Sequence, residues 1–194
     1  MNAKLVRKRA APLMVMIFTA TVGLWTHAAD PRGTAEPRPP AGAVAAPELT
    51  GDSWLNVPKG STLSLASRKG KVTVLHFWTF GCINCKHNLP AYDRWQKRFT
   101  ARGVVVIGIH SPETKEEKEL ANVAKKVKEY GITYPVLVDS DLQNWNRWQQ
   151  RVWPAVCLID KKGRVRYGWE GELGPSSSGI EAKFTQLIEA LLRE

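Results

Sequence analysis

Apolar positions along this chain fall into short blocks with two distinct periods. Residues 72–77 and 104–109 are nearly continuous apolar runs, preceded by turn signals at Lys69-Gly70-Lys71 and at Gly103. Both predict buried parallel strands. After the first run, Tyr92, Trp95 and Phe99 recur at helical spacing. A second helix is predicted over 115–130, with Leu120, Val123, Val127 and Tyr130 on one face and Gly131 as its stop. Residues 135–138 read as a short strand and 142–150 as a helix carrying Trp145 and Trp148. Residues 155–160 and 164–167 form a hairpin about Lys161-Lys162-Gly163. A last helix over 180–192 aligns Ile180, Phe184, Leu187, Ile188 and Leu191 in one stripe. Trp54-Leu55 and Leu63-Ser64-Leu65 suggest edge pieces. Parallel strands with crossover helices, then an antiparallel hairpin and a closing helix, predict an α/β domain of three layers, α/β/α, with a mixed central sheet.

The pattern begins near Leu49, which sets the expected domain at 49–194. Ahead of it, 29–48 is rich in Pro, Ala, Gly and Arg, lacks large apolar residues, and is expected to be an extended linker. Residues 1–28 have the form of an export signal: a basic start, an apolar run over 10–25, and Thr26-His27-Ala28 before the expected cleavage. The run is short of the roughly 20 residues of a comfortable membrane span and contains Pro12. Cleavage after Ala28 is favoured over an uncleaved anchor. A lipid-modified end is disfavoured because no Cys is nearby. The expected location is the periplasm.

Composition narrows the function classes. At 194 residues and 43% apolar, the chain can bury one real core. The net charge of +10 would suggest nucleic acid or anionic lipid, but Lys4, Arg7, Lys8 and Arg9 supply four of those charges within the signal. Elsewhere Lys and Arg interleave with Glu, as on a solvated mixed surface, so no nucleic-acid partner is expected. Three cysteines do not make a disulfide scaffold; they point to redox chemistry or a metal.

The chemistry lies where the first strand turns, at Phe80-Gly81, into a helix. There Cys82 and Cys85 stand at C-x-x-C spacing in the first helical turn. Unpaired N–H groups and the positive end of the helix dipole favour a thiolate at Cys82, making it the reactive sulfur. Cys85, one turn deeper, is placed to attack a mixed disulfide on Cys82 and close the Cys82–Cys85 bond. A structural zinc wants about four Cys or His ligands, and no second pair is present; His87 lies on another helix face. No metal and no diffusible cofactor is expected, since the dithiol is itself the electron carrier.

Four ordered segments, FWTFGCINCKHNLP (77–90), VIGIHSPE (106–113), GITYPVLVDSD (131–141) and VWPAVCLIDKKGRVRY (152–167), carry a family resemblance. Together they resemble extracytoplasmic thioredoxin-like proteins of the TlpA and DipZ type, over essentially all of 49–194. The resemblance implies a thioredoxin-like fold and thiol–disulfide exchange with partner proteins, drawing on a membrane electron donor or acceptor. It places a cis-proline at Pro154, whose preceding residue Trp153 would present its backbone to an extended substrate. It implies that Trp78 packs beside the cysteines. His76 stands where many thioredoxins carry a buried Asp that accepts a proton from the deeper Cys. A His can do related work, with an ordinary pKa of about 6.5, or be a satisfied core residue; Glu113 is a second, weaker candidate. Gly81 replaces the usual second Trp and Ile83-Asn84 the usual Gly-Pro, so neither a potential nor a direction of electron flow carries over.

Two rivals remain. A thiol peroxidase of peroxiredoxin-like type uses P-x-x-x-T-x-x-C; Thr79 fits that spacing, but Leu75 stands at the Pro position. A periplasmic Cu(I) metallochaperone would hold the metal between two thiolates. Cys157, in a predicted core strand, is expected to be a small buried hydrophobe, with a third redox thiol as the sharper alternative.

Overall fold

A computed structural model describes Pro37, residues 44–174 and residues 179–194; the export-signal expectation for 1–28 lies outside them. Seven strands form one sheet in the order β1-β7-β6-β3-β4-β5-β2. They are β1 (Val44–Ala45), β2 (Trp54–Leu55), β3 (Val72–Trp78), β4 (Val104–His110), β5 (Val136–Val138), β6 (Ala155–Ile159) and β7 (Arg164–Glu170). β3, β4 and β5 are parallel, while β6 runs antiparallel to β3 and β7 antiparallel to β6. The sheet is mixed, as the sequence pattern requires.

β3 lies at the centre and all seven of its residues are buried. Its pleat sends alternate side chains to opposite faces. Val72, Val74 and Trp78 join a core with Tyr92, Trp95 and Phe99 of α1 (Ile83–Phe99), Val123 and Val127 of α2 (Leu120–Glu129), and Phe184 and Ile188 of α4 (Ile180–Arg193). Leu75 and Phe77 face a second core with Ile107, Ile109, Trp145 of α3 (Gln143–Arg147) and Trp148 at its end. Each fully buried large apolar side chain contributes on the order of 1.5–3 kcal/mol, so two such cores close a three-layer α/β/α domain.

Three expectations are corrected. The sheet begins at Val44, inside the stretch expected to be linker: Val44 pairs with Val165, Ala45 with Arg164, and the Ala46 N–H donates to the Gly163 carbonyl at 2.9 Å. Glu48 then accepts N–H bonds from Leu49, Leu65 and Ala66. These ties use backbone and one carboxylate, so no hydrophobic period announces them. The segment 63–65 is not a strand; Leu65 is buried ahead of a single 3-10 turn, Ala66–Arg68. Finally, 115–130 is not one helix. A 3-10 turn at Glu116–Lys118 precedes α2, leaving Leu120 46% exposed and turning Glu117 inward.

Candidate functional site

The site sits where β3 ends. Thr79 and Phe80 carry the chain off the strand, and Cys82 becomes the N-cap of α1, its sulfur accepting the Cys85 N–H at 3.1 Å. A sulfur thus takes the capping role that Ser, Thr or Asp usually fills. Cys82 and Cys85 form a disulfide, with Cα atoms 5.3 Å apart. Cys82 is half-buried whereas Cys85 is 1% exposed, so of the two only Cys82 is open to solvent. Pro90 lies on the exposed side of α1, which continues to Phe99.

β6 brings the second sequence candidate alongside. Ala155 pairs with Phe77, which puts Trp153 and Pro154 beside the loop that leads to the cysteines. The Trp153–Pro154 bond is cis. Trp153 is fixed by its ring, which stacks on Trp145 at 3.9 Å and donates from Nε1 to the Ser111 carbonyl at 3.1 Å.

Trp78 is wholly buried and meets His110 edge to face at 5.1 Å. His76 is also wholly buried, stacked on Tyr92 at 3.9 Å, with Nε2 3.1 Å from the Tyr134 hydroxyl. Burial lowers its pKa to about 3, so it is neutral at physiological pH. Neither ring nitrogen is hydrogen-bonded to a cysteine. Glu113 is exposed and contributes only its N–H, to Glu117 Oε2 at 2.7 Å.

The carboxylate that reaches the site is Glu117, which sequence reasoning missed. It is 1% exposed and accepts the Gly81 N–H at 2.8 Å, together with those of Glu113 and Thr114. Burial pushes its carboxyl upward, but the Thr79 hydroxyl and these three N–H groups outweigh that and hold it below the ordinary carboxylate range. His110 completes the cluster. Its Nε2 accepts the Phe80 N–H at 3.3 Å and lies 3.5 Å from the Thr79 hydroxyl. Burial lowers its pKa to about 4, with Glu117 pulling the other way. Thr79 is therefore engaged with His110 and Glu117, and Leu75, at the rival motif's Pro position, faces the other core.

Cys157 opposes Leu75 and belongs to that other core, while Cys85 belongs to the first. Its thiol is pushed up by burial, so it packs as a small hydrophobe. His87 is exposed, 3.2 Å from the Glu172 carboxylate. Among the described residues no group of three His, Cys, Asp or Glu could hold a metal ion. The Cys82–Cys85 disulfide is itself the redox centre.

Comparison with known proteins agrees with this geometry. The chain is 41% identical over 128 residues to Protein DipZ of Mycobacterium tuberculosis, covering 66% of this chain and 18% of that protein. It is 29% identical over 129 residues to the thiol-disulfide oxidoreductase YkuV of Bacillus subtilis, covering 66% of this chain and 84% of YkuV. Among solved structures, a thiol-disulfide isomerase from Corynebacterium glutamicum superposes with a TM-score of 0.64 at 26% identity, over 77% of this chain and 97% of that one. Residues 44–168 match the AhpC/TSA family, whose span begins at the first strand seen here. A redox-active Cys-x-x-Cys pair on a thioredoxin-like fold, over a match of that length, shows that the chain belongs to the AhpC/TSA family as a thioredoxin-like thiol–disulfide oxidoreductase domain.

Proposed function

We propose that the protein exchanges disulfides with partner proteins outside the cytoplasm, Cys82 attacking and Cys85 resolving. One observation carries the assignment of roles: Cys82 is the accessible N-cap sulfur of α1, and Cys85 is buried behind it. In the reducing direction the Cys82 thiolate attacks a partner disulfide, forming a mixed disulfide and releasing one partner thiolate. Cys85 gives up its proton and attacks Cys82, the Cys82–Cys85 bond forms, and the second partner thiolate leaves. Two electrons pass to the partner, and the released thiolates take up two protons. Run backwards, the same steps oxidise a dithiol. Trp153 and Pro154 form the docking edge for the partner backbone, a role supported by their place beside the cysteine loop and the anchored Trp153 ring. A dithiol or disulfide protein, in the membrane or of the same compartment, resets the pair. Names of relatives such as YkuV support this chemistry, and the sequence pattern of residues 1–28 supports export. Among the described residues, no helix is long and apolar enough to cross a membrane.

Insulin reduction by the full chain with a small dithiol as electron source tests the proposal. Wild type is expected to turn over, Cys82→Ser to be inactive, and Cys85→Ser to accumulate mixed disulfides on non-reducing gels. Peroxide consumption without insulin reduction would assign the thiol-peroxidase alternative instead. Stoichiometric Cu(I) retention without turnover would assign the carrier. An alkaline-phosphatase fusion after residue 60 reports location: activity supports export, and its absence overturns it.

A further inference from the structure

Glu117 takes no part in the exchange steps above, yet its carboxylate lies against the residue that leads into Cys82. Oε1 is 2.8 Å from the Gly81 nitrogen, and Oε2 is held by the Glu113 and Thr114 N–H groups. A Cβ on residue 81 would come to 2.7 Å from Oε1, so the carboxylate holds this place only because residue 81 is glycine, and a larger residue would push it aside. No hydrogen-bond partner of Glu117 is cationic. The first turn of α1 contains no acidic residue, so the negative charge at this helix end comes from another element. Other titratable groups around this end include Glu113, whose N–H Glu117 holds, His110 from β4, Tyr130 at the end of α2, whose hydroxyl donates to the Phe80 carbonyl, and Lys86 on α1 itself.

We propose that Glu117 is a positioning residue: locked against Gly81, it places a fixed negative charge beside Cys82, disfavours the Cys82 thiolate, and biases the pair toward its disulfide. The helix N-terminus favours the thiolate, and a nearby carboxylate opposes it. Only the reduced form carries that thiolate, so the charge raises the free energy of the reduced form and leaves the disulfide alone. The direction that follows is electron donation to partner disulfides. The proposal rests on the exchange chemistry above and adds its direction.

The full chain and the variants Glu117→Gln, Gly81→Ala and Glu113→Gln are equilibrated with glutathione buffers over about pH 5–9. The Cys82 pKa is read from the pH dependence of iodoacetamide alkylation in the reduced proteins. Glu117→Gln is expected to lower the Cys82 pKa by about one unit. Above the Cys82 pKa of both proteins it should also lower the equilibrium constant for oxidation about tenfold, or about 30 mV. Below the Cys82 pKa of both proteins the difference should vanish, because both then hold neutral dithiols. Gly81→Ala, which pushes Oε1 away, is expected to shift the pKa in the same direction, and Glu113→Gln to leave it unchanged. An unchanged or raised Cys82 pKa in folded Glu117→Gln overturns the proposal, as does a change in the equilibrium constant that ignores pH. If Glu117→Gln fails to fold, an unchanged pKa in Gly81→Ala overturns it equally. A wild-type chain that never equilibrates with glutathione overturns the exchange chemistry itself, a separate outcome.

Discussion

Cys82 and Cys85 stand three residues apart, but helix geometry gives one sulfur to the surface and the other to the core. In the reduced protein, a short iodoacetamide pulse at neutral pH is expected to label Cys82 far faster than Cys85. Cys157, buried and with its thiol pushed up, should remain unlabelled until the chain unfolds. Mass mapping of the three sites decides it, and equal labelling of Cys82 and Cys85 would remove the role assignment. The cysteine pair was legible in the sequence because its local spacing announces it, and Pro154 because the family resemblance places a cis-proline there. Glu117 was not. It sits among Lys and Glu residues that resemble a solvated face, and its contact with Gly81 spans 36 positions. Gly81 was visible as a departure from the thioredoxin pattern, and the carboxylate that packs against it became visible only in the fold. Glu113, one of four acids between β4 and α2, is exposed and meets the cluster only through its N–H.

Two side chains tie elements together where no hydrophobic stripe does. Asn88, one turn beyond Cys85 on α1 and wholly buried, donates to the Gly171 carbonyl at 3.0 Å and accepts the Leu173 N–H at 2.7 Å. It pins the segment after β7 over the active-site helix. Asn88→Ala leaves both backbone groups without a partner and is expected to cost about 2–3 kcal/mol in urea unfolding, with the Cys82–Cys85 bond still able to form. Glu48 does the same work at the start of the sheet. Burial pushes its carboxyl up, but the N–H groups of Leu65, Leu49 and Ala66 prevail and hold it below its ordinary value. Because the folded value is the lower one, its stabilisation is complete above the unfolded value of about 4.3 and fades as pH falls through the folded value. Glu48→Gln is therefore expected to unfold at lower urea near pH 7 and to lose less stability than wild type between about pH 5 and pH 3. Strands with long apolar runs, β3 and β4, were readable, as was α4. β1 was not, because a two-residue strand with exposed side chains pairs through its backbone alone. The break before α2 was hidden as well: helical spacing in 115–130 was present, but the backbone is extended at Glu119, and Glu117 turns inward to the N–H groups of Glu113 and Thr114.

At the scale of the whole molecule, stability should fall from the middle of the sheet outward. β3 is paired on both sides along its length and buried on both faces, whereas β1 and β2 are two-residue edges. Amide exchange is expected to be slowest in β3 and its neighbours β4 and β6, and fastest in β1 and β2. Mass-resolved exchange checks this, and an early-opening β3 would contradict it. The same sheet has a consequence for how the chain acquires its one bond. An unfolded chain with three thiols can oxidise in three ways, two of them dead ends. Once β6 lies beside β3, its pleat turns Cys157 to the face opposite Cys85, with the sheet itself between them. The alternation of a five-residue strand thus acts as quality control, leaving the productive pairing as the one that survives folding. Moving that thiol one place, to Val156 on the Cys85 face, would remove the safeguard without adding or losing a cysteine.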